Sequence, residues 1–185
     1  MKKQILIITF TLIVSNIYAQ EQGIFRLNGG LAYGTKLGVD KTTLENKGAF
    51  GFNIGAEYLI YDKIGVAISY SQFSKQKYSS SSFQGMTIET KSWGSTIDFD
   101  LRYYFLSENI LAYGLIGYSN LRATAETSLF GSGTKLTATE NGINLGVGTI
   151  IPISDKAGVN IQGKWQKWPD EDQFVFNTGI TFQVN

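Results

Sequence analysis

The 185-residue sequence lacks cysteine and histidine altogether and contains only two prolines. Without cysteine the chain forms no disulfides, so its fold must be stabilised by packing and hydrogen bonds. Without histidine it lacks the commonest general base, the Ser-His and Cys-His nucleophile pairs, and the usual ligands of zinc. These absences predict a protein that is not an enzyme and that needs no metal or other cofactor.

Excess charge of one sign is also missing. The chain has 16 basic and 15 acidic residues, and 14 basic residues remain when Lys2 and Lys3 are set aside with the N-terminal segment. A chain so nearly balanced has no electrostatic means of attracting nucleic acid.

The first twenty residues differ from the rest of the chain. Lys2 and Lys3 precede an apolar run from Ile5 to Val14, which is followed by polar residues and then by Ala19. This three-part layout is typical of a secretory signal peptide that is cleaved after Ala19. The run is shorter than the roughly 20 apolar residues of a spanning helix. We therefore predict a signal peptide over residues 1–19 and one exported domain over residues 20–185.

The stretch from Trp93 to Phe105 alternates strictly between two kinds of side chain. Apolar residues such as Ile97 and Phe99 occupy every second position, and Asp98, Asp100 and Arg102 lie between them. Because a strand points alternate side chains to opposite faces, this is a β-strand with one apolar and one ionic face. Tilted by about 40°, it rises roughly 30 Å, the thickness of a bilayer's hydrocarbon core. Taken by itself, the apolar face of this strand fits either the core of a soluble protein or the lipid-facing surface of a membrane barrel.

Similar period-two segments recur throughout the mature chain, so we predict an all-β fold. Eight strands are predicted, over residues 23–34, 48–61, 64–73, 93–105, 110–121, 142–151, 157–167 and 174–185. The fourth strand has an alternative start at Met86. In the fifth, we favour Leu111, Tyr113 and Leu115 on the outward face, although the opposite register is nearly as apolar.

Long and short connections alternate between these strands. Polar loops are predicted over residues 35–47, 75–85, 122–140 and 168–173, and short turns over 62–63, 107–109 and 152–156. We expect the flanks of the third loop to extend the neighbouring strands. Such alternation places every long loop at one end, as in outer-membrane barrels.

The bulky residues decide between a membrane barrel and a soluble one. A soluble eight-stranded barrel needs an apolar interior, but Phe and Tyr from every strand would overfill so narrow a lumen. The bulky faces therefore point outward, where only lipid accommodates them. Aromatic residues also gather near both ends of the strands, as in the two interfacial girdles of membrane barrels. The sequence predicts an eight-stranded antiparallel up-and-down transmembrane β-barrel.

The chain then resembles a known family. Its eight alternating strands, the segment LGVGTIIP (Leu145 to Pro152) and the closing GITFQV resemble the outer-membrane beta-barrel domain proteins sometimes called porin-like, and the architecture is similar to that of OmpX and the OmpA membrane domain. The resemblance implies a monomer in contact with outer-membrane lipid, inserted by the barrel-assembly machinery.

Six charged residues fall on the predicted inward face: Arg26, Glu57, Asp98, Asp100, Arg102 and Lys164. Three are basic and three acidic, and confined charges are costly unless paired. We interpret them as a salt-bridge network that fills the lumen. A narrow path for ions is the functional alternative. Paired-acid catalysis by Asp98 and Asp100 is disfavoured because histidine is missing and Arg102 lies on the same face.

Three bulky residues in the predicted long loops are candidate contacts for an extracellular ligand: Phe83, Phe130 and Trp168. Loops carry function on rigid scaffolds, although Ser-rich tips are also common as plain solvated connectors. The sequence thus predicts an envelope structural or surface-interaction protein. Its alternative is a small porin-like channel for ions or very small solutes, and a soluble ligand-carrying barrel ranks third.

Overall fold

The computed structural model describes residues 23–36, 48–83, 86–105, 110–129 and 132–184, apart from the side chains of residues 77–89, 129 and 132. The predicted signal peptide, Phe130 and most of the first predicted loop lie outside these ranges. The described residues form nine β-segments, and no helix among them is long and apolar enough to cross a membrane.

Successive segments alternate in direction, except that β3 and β4 run the same way. They are β1 (Phe25–Gly34), β2 (Ala49–Tyr61), β3 (Ile64–Phe73), β4 (Gln76–Phe83), β5 (Met86–Tyr104), β6 (Leu111–Leu129), β7 (Ser132–Ser154), β8 (Ala157–Lys167) and β9 (Asp172–Gln183). We call the end with the short turns the lower end, and the end with the β4–β5 and β6–β7 hairpins the upper end.

Nine segments build an eight-stranded barrel because β3 and β4 are two parts of one barrel strand. β3 pairs with the lower half of β5, and β4 pairs with its upper part. β1 pairs antiparallel with β9 and closes the ring. The backbones approach very closely at this seam, since a Cβ on Gly30 would collide with Thr178 and Gly179. The predicted antiparallel eight-stranded barrel is confirmed.

Two of the predicted loops are in fact paired strands. The β4–β5 ladder runs to the pair Phe83–Met86, and the β6–β7 ladder runs to Leu129–Ser132. The polar loops predicted over 75–85 and 122–140 were therefore wrong, whereas the alternative strand start at Met86 and the extended flanks were right. Above the membrane both faces of a hairpin are polar, so alternation of hydropathy no longer marks a strand, and only backbone pairing with the neighbour does.

The outward faces are apolar, as predicted. Phe50 is 70% exposed, Ile54 55% and Phe99 50%, while the residues between them face the interior. Such a surface is stable only against lipid.

The register favoured for the fifth predicted strand was wrong. In β6, Tyr113 and Leu115 are buried in the barrel, and Ile116 and Tyr118 face outward. The neighbouring strand decides this, because Tyr113 pairs directly with the inward Tyr104, and directly paired residues share one face of the sheet.

The interior contains apolar layers as well as polar ones. A lower apolar cluster comprises Leu59, Tyr104, Tyr113, Leu115 and Ile150, and an upper one comprises Ala32, Ala49, Phe73 and Val175. The salt-bridge network that was predicted to fill the lumen is therefore only one part of the interior. Glycine makes the room that bulky residues need, since a Cβ on Gly148 would collide with the ring of Tyr113. Between these two clusters lie the charged residues.

Candidate functional site

The lower charge cluster is built around the carboxylate of Glu57, which projects inward from β2. Arg102 on β5 donates to Glu57 Oε2 at 3.3 Å, and Arg26 Nη1 on β1 lies 3.7 Å from the same oxygen. The hydroxyl of Tyr104 donates to Glu57 Oε1 at 2.6 Å. Glu57 is 2% exposed and Arg102 3%, so these charges are compensated by one another and not by bulk solvent.

Aromatic rings complete the lower cluster. The Arg102 guanidinium lies 4.8 Å from the centroid of the Tyr113 ring, and the Arg26 guanidinium lies 5.4 Å from that of Tyr104. The two tyrosine rings are themselves 5.3 Å apart. Cation–π contacts of this kind compensate the second positive charge, for which Glu57 alone supplies no matching carboxylate.

The upper charge cluster has the opposite balance, with one cation and two acids. Lys164 Nζ on β8 donates to Asp98 Oδ2 and lies 3.5 Å from Asp100 Oδ2, both on β5. Ser119 Oγ donates to Asp98 Oδ1 at 2.6 Å, and Asn144 Nδ2 donates to Asp100 Oδ1 at 2.9 Å. Lys164 and Asp98 are each 1% exposed. The structure thus brings all six predicted charges into two clusters of opposite net charge.

Amide side chains extend the upper cluster toward the outer mouth. Gln166 Nε2 lies 3.1 Å from both Asp98 Oδ1 and Asn144 Oδ1, and Gln173 Nε2 donates to Gln166 Oε1 at 2.9 Å. Period-two alternation placed the β8 residue Gln166 on the inward face, but its partners come from strands β5, β7 and β9 and no local pattern shows them.

A second amide chain joins the upper half of the barrel to the lower tyrosines. Asn177 Nδ2 donates to Gln162 Oε1 at 3.1 Å, and Gln162 Nε2 donates to Tyr113 Oη at 3.1 Å. Tyr113 Oη in turn donates to Asn160 Oδ1 at 2.9 Å. This inward Tyr113 was missed by sequence reasoning because the favoured register pointed it to lipid.

The polar groups inside the barrel are closely packed. Asp98 and Asp100 share one lysine and are 1% and 2% exposed, so a substrate cannot reach them. A cavity beside Asn53 and Asn160 measures about 10 Å³, the space of a single water molecule. Among the described residues, no group of three or more acidic side chains is arranged to hold a metal ion.

The predicted surface contacts have different positions. Phe83 is the last residue of β4, and Phe130 lies outside the described residues. Trp168 is only 3% exposed, so its assignment as a surface contact was wrong. It continues the inward series Lys164 and Gln166 by one further step, and its backbone N–H donates to the Glu171 carbonyl at 2.8 Å, which turns the chain over the outer mouth.

A small ionic group lies at the outer rim, at the upper ends of β8 and β9. Lys36 Nζ donates to Asp172 Oδ1 at 2.8 Å, and Trp165 Nε1 donates to Asp172 Oδ2 at 3.3 Å. These two hydrogen bonds hold the pKa of Asp172 below its ordinary value, the bond from Lys36 contributing most. The hydrogen bond to Asp172 fixes the ring of Trp165 at this rim.

The model of the outer membrane protein beta-barrel domain family matches residues 5–182. The chain belongs to this family. No curated protein matches it significantly.

Solved structures of outer-membrane barrels share the fold at low sequence identity. A major outer membrane protein of Thermus thermophilus has a TM-score of 0.64 at 10% identity, with 89% of this chain and 100% of that chain covered. Ail of Yersinia pestis, in complex with the heparin analogue sucrose octasulfate, has a TM-score of 0.57 at 15% identity. The N-terminal β-barrel domain of Pseudomonas aeruginosa OprF has a TM-score of 0.55 at 15% identity. Both alignments cover 88% of this chain and 97% of the other.

Membership of the outer membrane protein beta-barrel domain family places the chain in the outer membrane, as the sequence predicted. The apolar outward face is then the surface in contact with lipid, and the two charge clusters lie within the barrel at the depth of the bilayer.

Proposed function

We propose that this outer-membrane barrel is a closed envelope protein with a structural or surface-interaction role, which neither conducts ions nor catalyses a reaction. One observation carries the proposal. The six interior charges are each at most 8% exposed, and within two clusters every carboxylate lies within 3.7 Å of a cationic nitrogen. A conducting lumen needs hydrated charges, whereas buried and paired charges stabilise a solid interior.

The packing above and below the charges supports a closed barrel. Phe73 and Val175 are each 1% exposed in the upper apolar cluster, and Tyr113 is fully buried in the lower one. An ion moving along the axis would have to pass both layers and lose its hydration in each. The predicted small channel therefore remains only as the alternative that a conductance measurement would reveal.

The upper hairpins are the proposed interaction surface. Thr124 on β6 pairs with Trp93, at the level of the aromatic girdle. The β6–β7 ladder continues for five residues beyond Thr124, which adds roughly 17 Å of strand above the girdle. Phe83 is the last residue of β4, Phe130 comes between β6 and β7 in the sequence, and both remain candidate contacts for an extracellular ligand. Ail shows that one barrel of this fold accepts a sulfated ligand, although the likeness does not extend that ligand to this chain.

Three further parts of the proposal rest on the sequence and on membership of the family. Residues 1–19 act as a signal peptide, the barrel-assembly machinery inserts the exported domain, and the barrel is a monomer surrounded by lipid. Edge-free closure of β1 against β9 supports the monomer, because no unpaired edge is left between these described strands to bind a second copy.

Conductance across a planar bilayer tests the proposal. The refolded barrel should produce no discrete current steps under conditions in which a reconstituted porin does. If steps occur, the closed-barrel proposal is wrong. Their loss in the Asp98→Asn and Asp100→Asn double variant would show that the ions pass the upper charge cluster.

A further inference from the structure

Basic side chains surround Trp93 on the outer wall of the barrel. Lys75 Nζ lies 4.1 Å from the centroid of the Trp93 ring, and Lys135 Nζ lies 5.4 Å from it. Both lysines are also exposed, so part of each ammonium group stays accessible while it contacts the ring. We call Lys75, Trp93, Arg122 and Lys135 the Trp93 patch.

Strand register explains how residues from different segments meet there. Glu126 on β6 and Lys135 on β7 pair directly. Trp93, Thr124 and Thr137 form the row of paired residues two positions lower along the strands. Arg122, which is exposed, lies one row lower again, beside Ser95. Residues directly paired across antiparallel strands share one face, so these side chains occupy a single surface.

The patch is positive. It contains three cations, and Glu126, whose Oε2 lies 3.7 Å from Lys75 Nζ, is the acid that contacts it among the described side chains. The excess of two positive charges contrasts with the balanced interior. Cations gathered on one wall repel one another, and an anionic partner removes that repulsion.

The height of the patch above the apolar outward face indicates which part of the membrane it contacts. Below the patch the outward face of the barrel is apolar. The highest set of paired residues that is apolar on β5, β6 and β7 together consists of Phe99, Tyr118 and Ile143. Arg122 lies four residues above that row, roughly 13 Å along the strand and roughly 10 Å along the membrane normal at a tilt of about 40°. That height falls in the polar headgroup layer of a bilayer.

We propose that the Trp93 patch binds the phosphate groups of anionic glycolipid headgroups in the outer leaflet. The patch is on the side wall, continuous with the lipid-facing surface, and not on the hairpin tips where a soluble partner would first arrive. Arginine and lysine supply charge-assisted hydrogen bonds to phosphate oxygens, and the ring of Trp93 holds Lys75 and Lys135 beside each other. The site extends beyond the proposed surface role and is independent of whether the lumen conducts.

Lipid retention in native mass spectrometry tests the site. The barrel is reconstituted in nanodiscs containing equal amounts of a bis-phosphorylated lipid A and its dephosphorylated form, and the lipids that remain bound are counted. The wild-type protein should retain the phosphorylated form preferentially. The Arg122→Gln and Lys135→Gln double variant should lose this preference by on the order of tenfold, since each basic residue near an anionic surface contributes a several-fold effect.

A matched control removes the same charge from the other leaflet. The Lys63→Gln and Lys156→Gln double variant, at the exposed lower turns, should keep the wild-type preference. The Glu126→Gln variant removes the acid from the patch and should increase the preference several-fold, which tests the site without removing any basic residue.

Three results would overturn the proposal. The first is a wild-type protein without preference for the phosphorylated lipid, and the second is an equal loss in both double variants. The third is strong competition by soluble inorganic pyrophosphate for the detergent-solubilised barrel without any lipid preference, which would identify a soluble polyanion as the partner. A failed conductance prediction would leave the lipid result unchanged, so the two proposals are tested separately.

Discussion

Lys164 offers the most direct test of a dry, closed interior. Its ammonium group is buried between Asp98 and Asp100, and its residue is 1% exposed. The Lys164→Met substitution keeps most of the side-chain volume but removes the charge. Two carboxylates of the upper charge cluster then face each other without a cation between them.

The structure allows the size of the effect to be worked out. Removing one partner of a buried ion pair costs about 3–5 kcal/mol of folding free energy, because it leaves uncompensated buried charge. The Asp100→Asn variant should cost only about 1 kcal/mol, because the Asp98–Lys164 pair survives and the new amide still accepts from Asn144. Combining Lys164→Met with Asp98→Asn and Asp100→Asn should recover most of the loss, since no charge then remains in the upper cluster.

Equilibrium urea unfolding in lipid vesicles, followed by tryptophan fluorescence, measures these free energies. Heat-dependent migration on gels checks that each variant is folded. If Lys164→Met lies within about 1 kcal/mol of the wild-type protein, water already screens the two carboxylates. The closed interior would then be wrong, and the small-channel alternative would be favoured.

Two further predictions test the packing and the register. Gly148→Ala should lower the free energy of unfolding by about 1–3 kcal/mol, because the new Cβ collides with the buried ring of Tyr113. Gly114→Ala should change it by less than about 0.5 kcal/mol, because the space around that Cβ is open; equal effects of the two variants in urea unfolding would contradict this packing. A fluorophore on Ile116→Cys should be quenched by brominated lipid acyl chains and one on Leu115→Cys should not, and the reverse pattern would show that β6 has the opposite register.

Much of the fold could be predicted from local alternation. In β5 the outward Ile97 and Phe99 and the inward Asp98, Asp100 and Arg102 all have the predicted orientation. The same reasoning predicted the eight-stranded barrel, its outer-membrane location and the inward position of all six charges. It succeeded because the bilayer imposes one strong rule on each spanning strand, that bulky apolar residues face lipid.

Alternation of hydropathy failed to predict the structure where the two faces of a strand are alike. β6 is apolar on both faces near Tyr113, so either register satisfied the pattern, and the hairpins above the membrane are polar on both faces. Trp168 follows the end of β8, as predicted, but its side chain continues the inward series of that strand and is not the exposed contact that was expected. For β6 and for the hairpins, the decisive interaction is made with the neighbouring strand.

The sequence by itself determined which face of most strands meets lipid, and therefore the kind of barrel and the membrane that contains it. Only the tertiary structure decided that Glu57 pairs with Arg102, that Lys164 lies between Asp98 and Asp100, and that three cations meet around Trp93. The physical reason is that the orientation of a side chain follows from its own strand. Its partners depend on the stagger between strands that lie far apart in the chain, which is set by closure of the whole barrel.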